Sequence, residues 1–183
     1  MAKALATLIP ASRDGVIYFR RPRTLLVITG PPFNKDRDVE LTELARDFDG
    51  RKVICGGTTA NIVSRLLNRP VHVALTQPHF DLPPAAEMEG IDLVTEGTVT
   101  LARTAEMLEG GPRVDPARKT PASDLVALML QSDIVRFVVG TRINEAHQDP
   151  SMSVELDLRR NVVRKIATLL ETRYLKECRI QFL

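Results

Sequence analysis

The sequence predicts an α/β layered fold: a largely parallel sheet flanked by helices, with a short N-terminal strand appendage. Three observations carry this expectation. The runs Thr24–Thr29, Lys52–Cys55, Ile91–Thr95 and Ile134–Val139 are dense in apolar residues, the pattern of strands buried on both faces. Stretches of helical periodicity separate them, as crossovers between parallel strands require. Turn residues, Gly30-Pro31-Pro32 and Gly56-Gly57 among them, stand where a strand gives way.

Taken in order, Gly15–Phe19 is expected as a short strand, and Arg20-Arg21-Pro22-Arg23 as a charged link. Residues 1–23 form the appendage and 24–183 the α/β domain. After the first buried strand, Gly30-Pro31-Pro32 stops both ladder and helix. A helix over about 36–48 carries Leu41, Leu44, Ala45 and Phe48 on one face and closes at Asp49-Gly50. Lys52–Cys55 is the next strand, and a helix runs from Gly-Gly-Thr-Thr to about Asn68. Val71–Leu75 reads as a strand, and residues 77–89, with Pro78, Pro83 and Pro84, as an irregular loop. Ile91–Thr95 is strand, and Glu96-Gly97-Thr98 opens a helix carrying Leu101, Ala102, Ala105 and Leu108. A polar loop over 110–119 leads to Thr120-Pro121, where proline suits a first helical turn. Strand 134–139 and the polar segment 140–150 follow. The last helix, from about Ser153, places Leu158, Val162, Ile166 and Leu170 at spacings of four. Its other face, with Arg159, Arg160, Arg164 and Lys165, reads as solvated. Glu177–Phe182 closes the sheet.

Composition narrows the function classes. With 183 residues, one domain with a real core is expected. A net charge of +2 and 4% aromatic residues, none of them Trp, argue against nucleic-acid binding and base stacking. Cys55 and Cys178 lie in apolar strand contexts and read as buried, reduced thiols. The opening apolar run, Ala4–Ile9, is short, and Pro10, Arg13 and Asp14 follow it, so secretion is not expected. No apolar run reaches membrane-spanning length. The expectation is a cytoplasmic protein.

The most informative segment is Cys55-Gly56-Gly57-Thr58-Thr59-Ala60-Asn61. Glycines let backbone N–H groups approach a ligand, and Thr58 or Thr59 is expected as the N-cap. A helix start of this kind collects phosphate or carboxylate. Its plainer reading is a tight turn whose glycines serve packing. In a parallel sheet ligands gather outside the carboxyl ends of the strands. That rule joins Gly56, Gly57, Thr58, Thr59 and Asn61 with Glu96, Thr98, Arg142 and Asn144 as a candidate ligand-binding set. Glu96, at a strand end, is the candidate catalytic acid or base, or a helix-start acid favoured by the dipole. His147 and Asp149 are weak candidate metal ligands, since the 144–150 loop matches no specific metal signature and its distal half reads first as a polar surface loop. His72 and His79 carry no catalytic expectation. There is no Gly-x-Ser-x-Gly elbow, complete P-loop or Gly-x-Gly-x-x-Gly motif.

Residues 18–32, the Cys-Gly-Gly-Thr-Thr-Ala-Asn-Ile-Val segment and the 144–150 loop together resemble the C-terminal region of bacterial sporulation-stage-II-E-type phosphatases, metal-dependent serine/threonine phosphatases of the PPM class. The resemblance runs from about Ser12 to the C-terminus, with Ser12–Phe19 similar to the closing strand of the phosphatase domain. It implies a phosphatase-associated domain. Asp14-Gly15 is a lone pair that cannot hold the two metal ions of that class, so the catalytic aspartates are missing from this chain.

The first expectation is therefore a regulatory α/β domain that binds a small anionic, phosphorylated metabolite, with a phosphatase domain as partner. The alternative is a small phosphoester hydrolase using Glu96, the 144–149 loop and a divalent metal. A third reading is a structural homodimerisation domain, joined through the sheet edge near Phe182 or the final helix.

Overall fold

The computed structural model describes residues 20–73, 84–111, 120–142 and 151–183, with side chains from residue 156 onward in the last segment. The expected Gly15–Phe19 strand, His79, the 112–119 loop, Asn144, His147 and Asp149 lie outside the described residues.

Five strands run parallel: β1 (Thr24–Thr29), β2 (Arg51–Cys55), β5 (Ile91–Thr95), β6 (Ile134–Val139) and β7 (Glu177–Phe182). With β3 (Val71–Val73) and β4 (Ala86–Met88) they form one sheet in the order β3-β4-β5-β2-β1-β6-β7. The expected α/β layered architecture is what the chain adopts. The parallel strands end level, with Thr95, Cys55, Thr29, Val139 and Phe182 paired along one row at the carboxyl edge.

Alternation sends the strand side chains to two layers. Leu26, Ile28, Ile54, Val94 and Val138 meet α1 (Asp38–Asp47) and α2 (Gly57–Leu67) on the first face. Leu25, Val27, Val53, Cys55, Leu93, Val135 and Phe137 meet α3 (Thr98–Gly110), α4 (Pro121–Gln131) and α5 (Ser151–Tyr174) on the second. Both faces of β1 are thus covered, which is why its sequence is an unbroken apolar run. A fully buried Leu or Val here contributes roughly 1.5–3 kcal/mol, so each strand of this core is worth several helix caps.

Two expectations are corrected. The segment 77–89 is not loop throughout: β4 pairs antiparallel with both β3 and β5, joined to β5 through Glu89 and Gly90, the latter at φ +78°. Gly90 supplies the positive φ that a two-residue hairpin loop asks for. The α5 stripe is also different. Val163, Ile166, Ala167 and Leu170 are buried, Val162 is half-buried, and Leu158 is 53% exposed. Nor are all the arginines of α5 simply solvated. Arg160 and Arg164 lie over the Phe182 ring at 5.6 and 5.8 Å, and the Arg159 guanidinium packs against Gly30.

Candidate functional site

Where neighbouring parallel strands send their helices to opposite faces, a crevice opens at their carboxyl ends. This sheet has two such places. Strands β1 and β6 lead to α1 and α5 on opposite layers; strands β2 and β5 lead to α2 and α3, again on opposite layers.

Main chain closes the first. The Gly140 N–H donates to the Thr29 carbonyl at 2.8 Å and the Arg142 N–H to the Pro31 carbonyl at 3.1 Å. A Cβ on Gly140 would stand 2.1 Å from the Pro31 oxygen, so glycine is what lets these two exits touch. Arg142 leaves β6 here. Its Nη2 meets the Asp38 Oδ1 of α1 at 3.0 Å, with side chains 17% and 10% exposed. Arg142 therefore ties the β6 exit to the start of α1, and the whole of β1 lies between its strand and β2.

At the second crevice the two helix starts lie side by side. The Gly56 N–H donates to the Thr95 carbonyl at 2.8 Å, and a Cβ on Gly97 would sit only 3.6 Å from the Gly56 Cα. Gly56 caps α2 at φ +130°, a conformation glycine alone adopts without strain; neither Thr58 nor Thr59 caps the helix, a correction to the expectation above. Gly97 occupies the same cap position on α3, also without a side-chain bond. Neither helix has an acid in its first turn. Helices α1 and α4 differ, although the N-cap of α1, Arg37, makes no side-chain bond and α5 has no acid in its first turn. Thr120 and Ser123 form a reciprocal capping box on α4, which also carries Asp124, and α1 begins with Asp38 and Glu40. The first N–H groups of α2 and α3 have no acceptor within their own helices, and each end carries roughly half a positive charge.

The side chains fit an anion-facing surface with one acid. Gly57, Thr58, Asn61 and Glu96 are exposed, Thr98 is half-exposed, and a Cβ added to Gly57 would meet nothing within 4 Å. Open space there leaves no packing reason for that glycine. Thr59 is 1% exposed and Thr100 is wholly buried, and neither hydroxyl has a hydrogen-bond partner. Below them, burial pushes the Cys55 thiol up to about 12, against a smaller opposing pull from its hydrogen bond with Thr95, so this sulfur is a neutral thiol and no nucleophile. Cys178 is half-buried rather than buried, and desolvation with nearby Glu171 and Glu177 raises it similarly, to about 12.

Gly97 and Thr100 were absent from the sequence-derived set. A signal for them existed: Gly56-x-x-Thr59 and Gly97-x-x-Thr100 share one spacing, glycine at the cap and threonine three residues on. Among the described residues no group of three or more His, Cys, Asp or Glu side chains could hold a metal ion. No helix among them is long and apolar enough to cross a membrane. Comparison with family models, with curated proteins and with solved structures finds no match.

Proposed function

We propose that this chain is a regulatory α/β domain that binds a small phosphorylated anion at the β2–β5 crevice. One observation carries the reading: two adjacent helix starts lack both a side-chain cap and a first-turn acid, whereas α1 and α4 carry first-turn acids. An anion seated between them accepts from free N–H groups and meets two positive helix ends. The partner we propose is a phosphatase domain, on the strength of the Gly-Gly-Thr-Thr segment and its flanking sequence.

Amide NMR with inorganic phosphate tests the anion site. Saturable shifts are expected at residues 57–59 and 98–100, with Kd on the order of 1 mM, or about −4 kcal/mol. Gly57→Val should abolish them. Its Cβ meets no neighbour, so the fold survives at a cost below about 1 kcal/mol, while the branched side chain shields the N–H groups. Wild-type protein without shifts, or a folded variant with unchanged affinity, would sink the reading.

A further inference from the structure

The second crevice holds a buried group that the fold leaves unpaired. The hydroxyl of Thr59 is hidden, has no partner, and stands 3.5 Å from the point where a Cβ on Gly56 would lie. Apart from Cys55, Gly56 and Gly57 themselves, nothing else comes within 4 Å of that point. The open side of the Gly56 Cα thus faces the Thr59 hydroxyl, and a ligand oxygen in van der Waals contact with that side and within hydrogen-bond reach of Thr59 accepts from it and faces the first free N–H groups of α2. Buried hydroxyls are nearly always paired, so this one marks a place for an acceptor from outside the chain. Thr100, in the first turn of α3, carries a second buried hydroxyl without a partner, though not beside its own glycine cap.

Glu96 directly precedes the Gly97 cap; it is exposed, its carbonyl accepts from the Thr95 hydroxyl at 2.7 Å, and its carboxylate makes no hydrogen bond or ion pair among the described residues. A carboxylate accepts hydrogen bonds only, and it repels a bare dianion. It suits a ligand whose anionic end is followed by hydroxyl donors. Beside it Val99 is 59% exposed and offers an apolar patch of aliphatic size. No aromatic residue stands in the segments 55–61 or 95–100, so a nucleobase finds nothing to stack on.

We propose that the crevice takes a sugar phosphate: a phosphomonoester oxygen over Gly56 and Thr59, and the sugar hydroxyls on Glu96. This rests on the anion-site reading above and narrows it to one ligand class.

Titration of the intact chain with ribose 5-phosphate, inorganic phosphate, ribose and adenosine 5′-phosphate tests it. Ribose 5-phosphate should bind about tenfold tighter than inorganic phosphate, the worth of one good hydrogen bond to a charged acceptor. Ribose alone should not bind measurably, and adenosine 5′-phosphate should gain nothing over ribose 5-phosphate. Glu96→Gln should bring the sugar phosphate to within about threefold of phosphate while leaving phosphate binding equal or tighter. Thr59→Val should weaken both anions with no fall in melting temperature, because it removes an unpaired buried hydroxyl. Ribose 5-phosphate binding no tighter than phosphate, an unchanged ratio in Glu96→Gln, or a tighter adenosine 5′-phosphate overturns the sugar-phosphate assignment while the anion site stands. Failure of both anions to bind wild-type protein removes the two together.

Discussion

Removing Arg142 separates its structural role from a ligand-binding one. At 3.0 Å and an effective dielectric near 20, its attraction to Asp38 is about 5–6 kcal/mol before desolvation. Both side chains are more than four-fifths hidden, so the desolvation of two charges cancels well over half of that. A net coupling of about 2 kcal/mol remains. Arg142→Ala should destabilise by about 2–3 kcal/mol, below the usual figure for a broken buried pair, because the Arg65 guanidinium stays 3.9 Å from Asp38 and α1 presents its positive end to the same carboxylate. For a chain of this size the melting temperature should fall by about 5–10 °C. Urea unfolding of wild type, Arg142→Ala, Asp38→Ala and the double variant closes the cycle. Phosphate affinity in Arg142→Ala should stay within about twofold of wild type, since β1 stands between the two exits. A coupling below about 0.5 kcal/mol, or a loss of phosphate binding with little loss of stability, would refute the reasoning.

Other outcomes follow from the same geometry. Gly140→Ala should cost about 2–4 kcal/mol in urea unfolding, because its Cβ would press on the Gly30 and Pro31 carbonyls at 2.1–2.2 Å and part the β1 and β6 exits; an unchanged midpoint would contradict the close approach. Asp133 accepts from Arg20 Nη2 at 2.8 Å and from the Arg23 N–H at 2.7 Å, and these bonds hold its carboxyl well below the usual range. A lowered folded-state pKa gives stability that is present above the unfolded value near 4 and lost as pH falls below it, so Asp133→Asn should flatten the acid limb of the stability curve below about pH 4 by about 1–2 kcal/mol; parallel curves would disprove it. In thiol titration at pH 8, Cys55 should be silent and Cys178 slow until denaturant is added, and two fast thiols in the native protein would contradict their burial and raised pKa values.

The central strands were legible because burial on both faces leaves an unbroken apolar run, which needs no partner to be recognised. Strand β4 was not, since three residues after Pro83 and Pro84 hold no period, and only their pairing with β3 and β5 makes them a strand. The stripe from Leu158 to Leu170 misled for a geometric reason. Each step of four residues overshoots a helical turn by about 40°, so three steps swing Leu158 about a third of the way round from Leu170. Mixed steps of three and four, as in Val163, Ile166, Ala167 and Leu170, stay on one face. Thr58 and Thr59 have the chemistry of a cap, but capping is decided by backbone conformation, and only Gly56 takes φ +130° freely. The partner of Arg142 lies 104 residues away at Asp38, a distance over which local pattern carries no information. Glycine-threonine spacing did point to α2, and the same spacing at Gly97 marks α3.

The level carboxyl edge gives the crevice a mechanical meaning. Helix α2 belongs to one layer and α3 to the other, and the sheet stands between their cores, so little besides the sheet transmits force from layer to layer. A ligand gripping both helix starts becomes a rivet through the edge. Its binding should slow amide exchange in α1 and α4 together, because opening either layer would first require pulling the rivet.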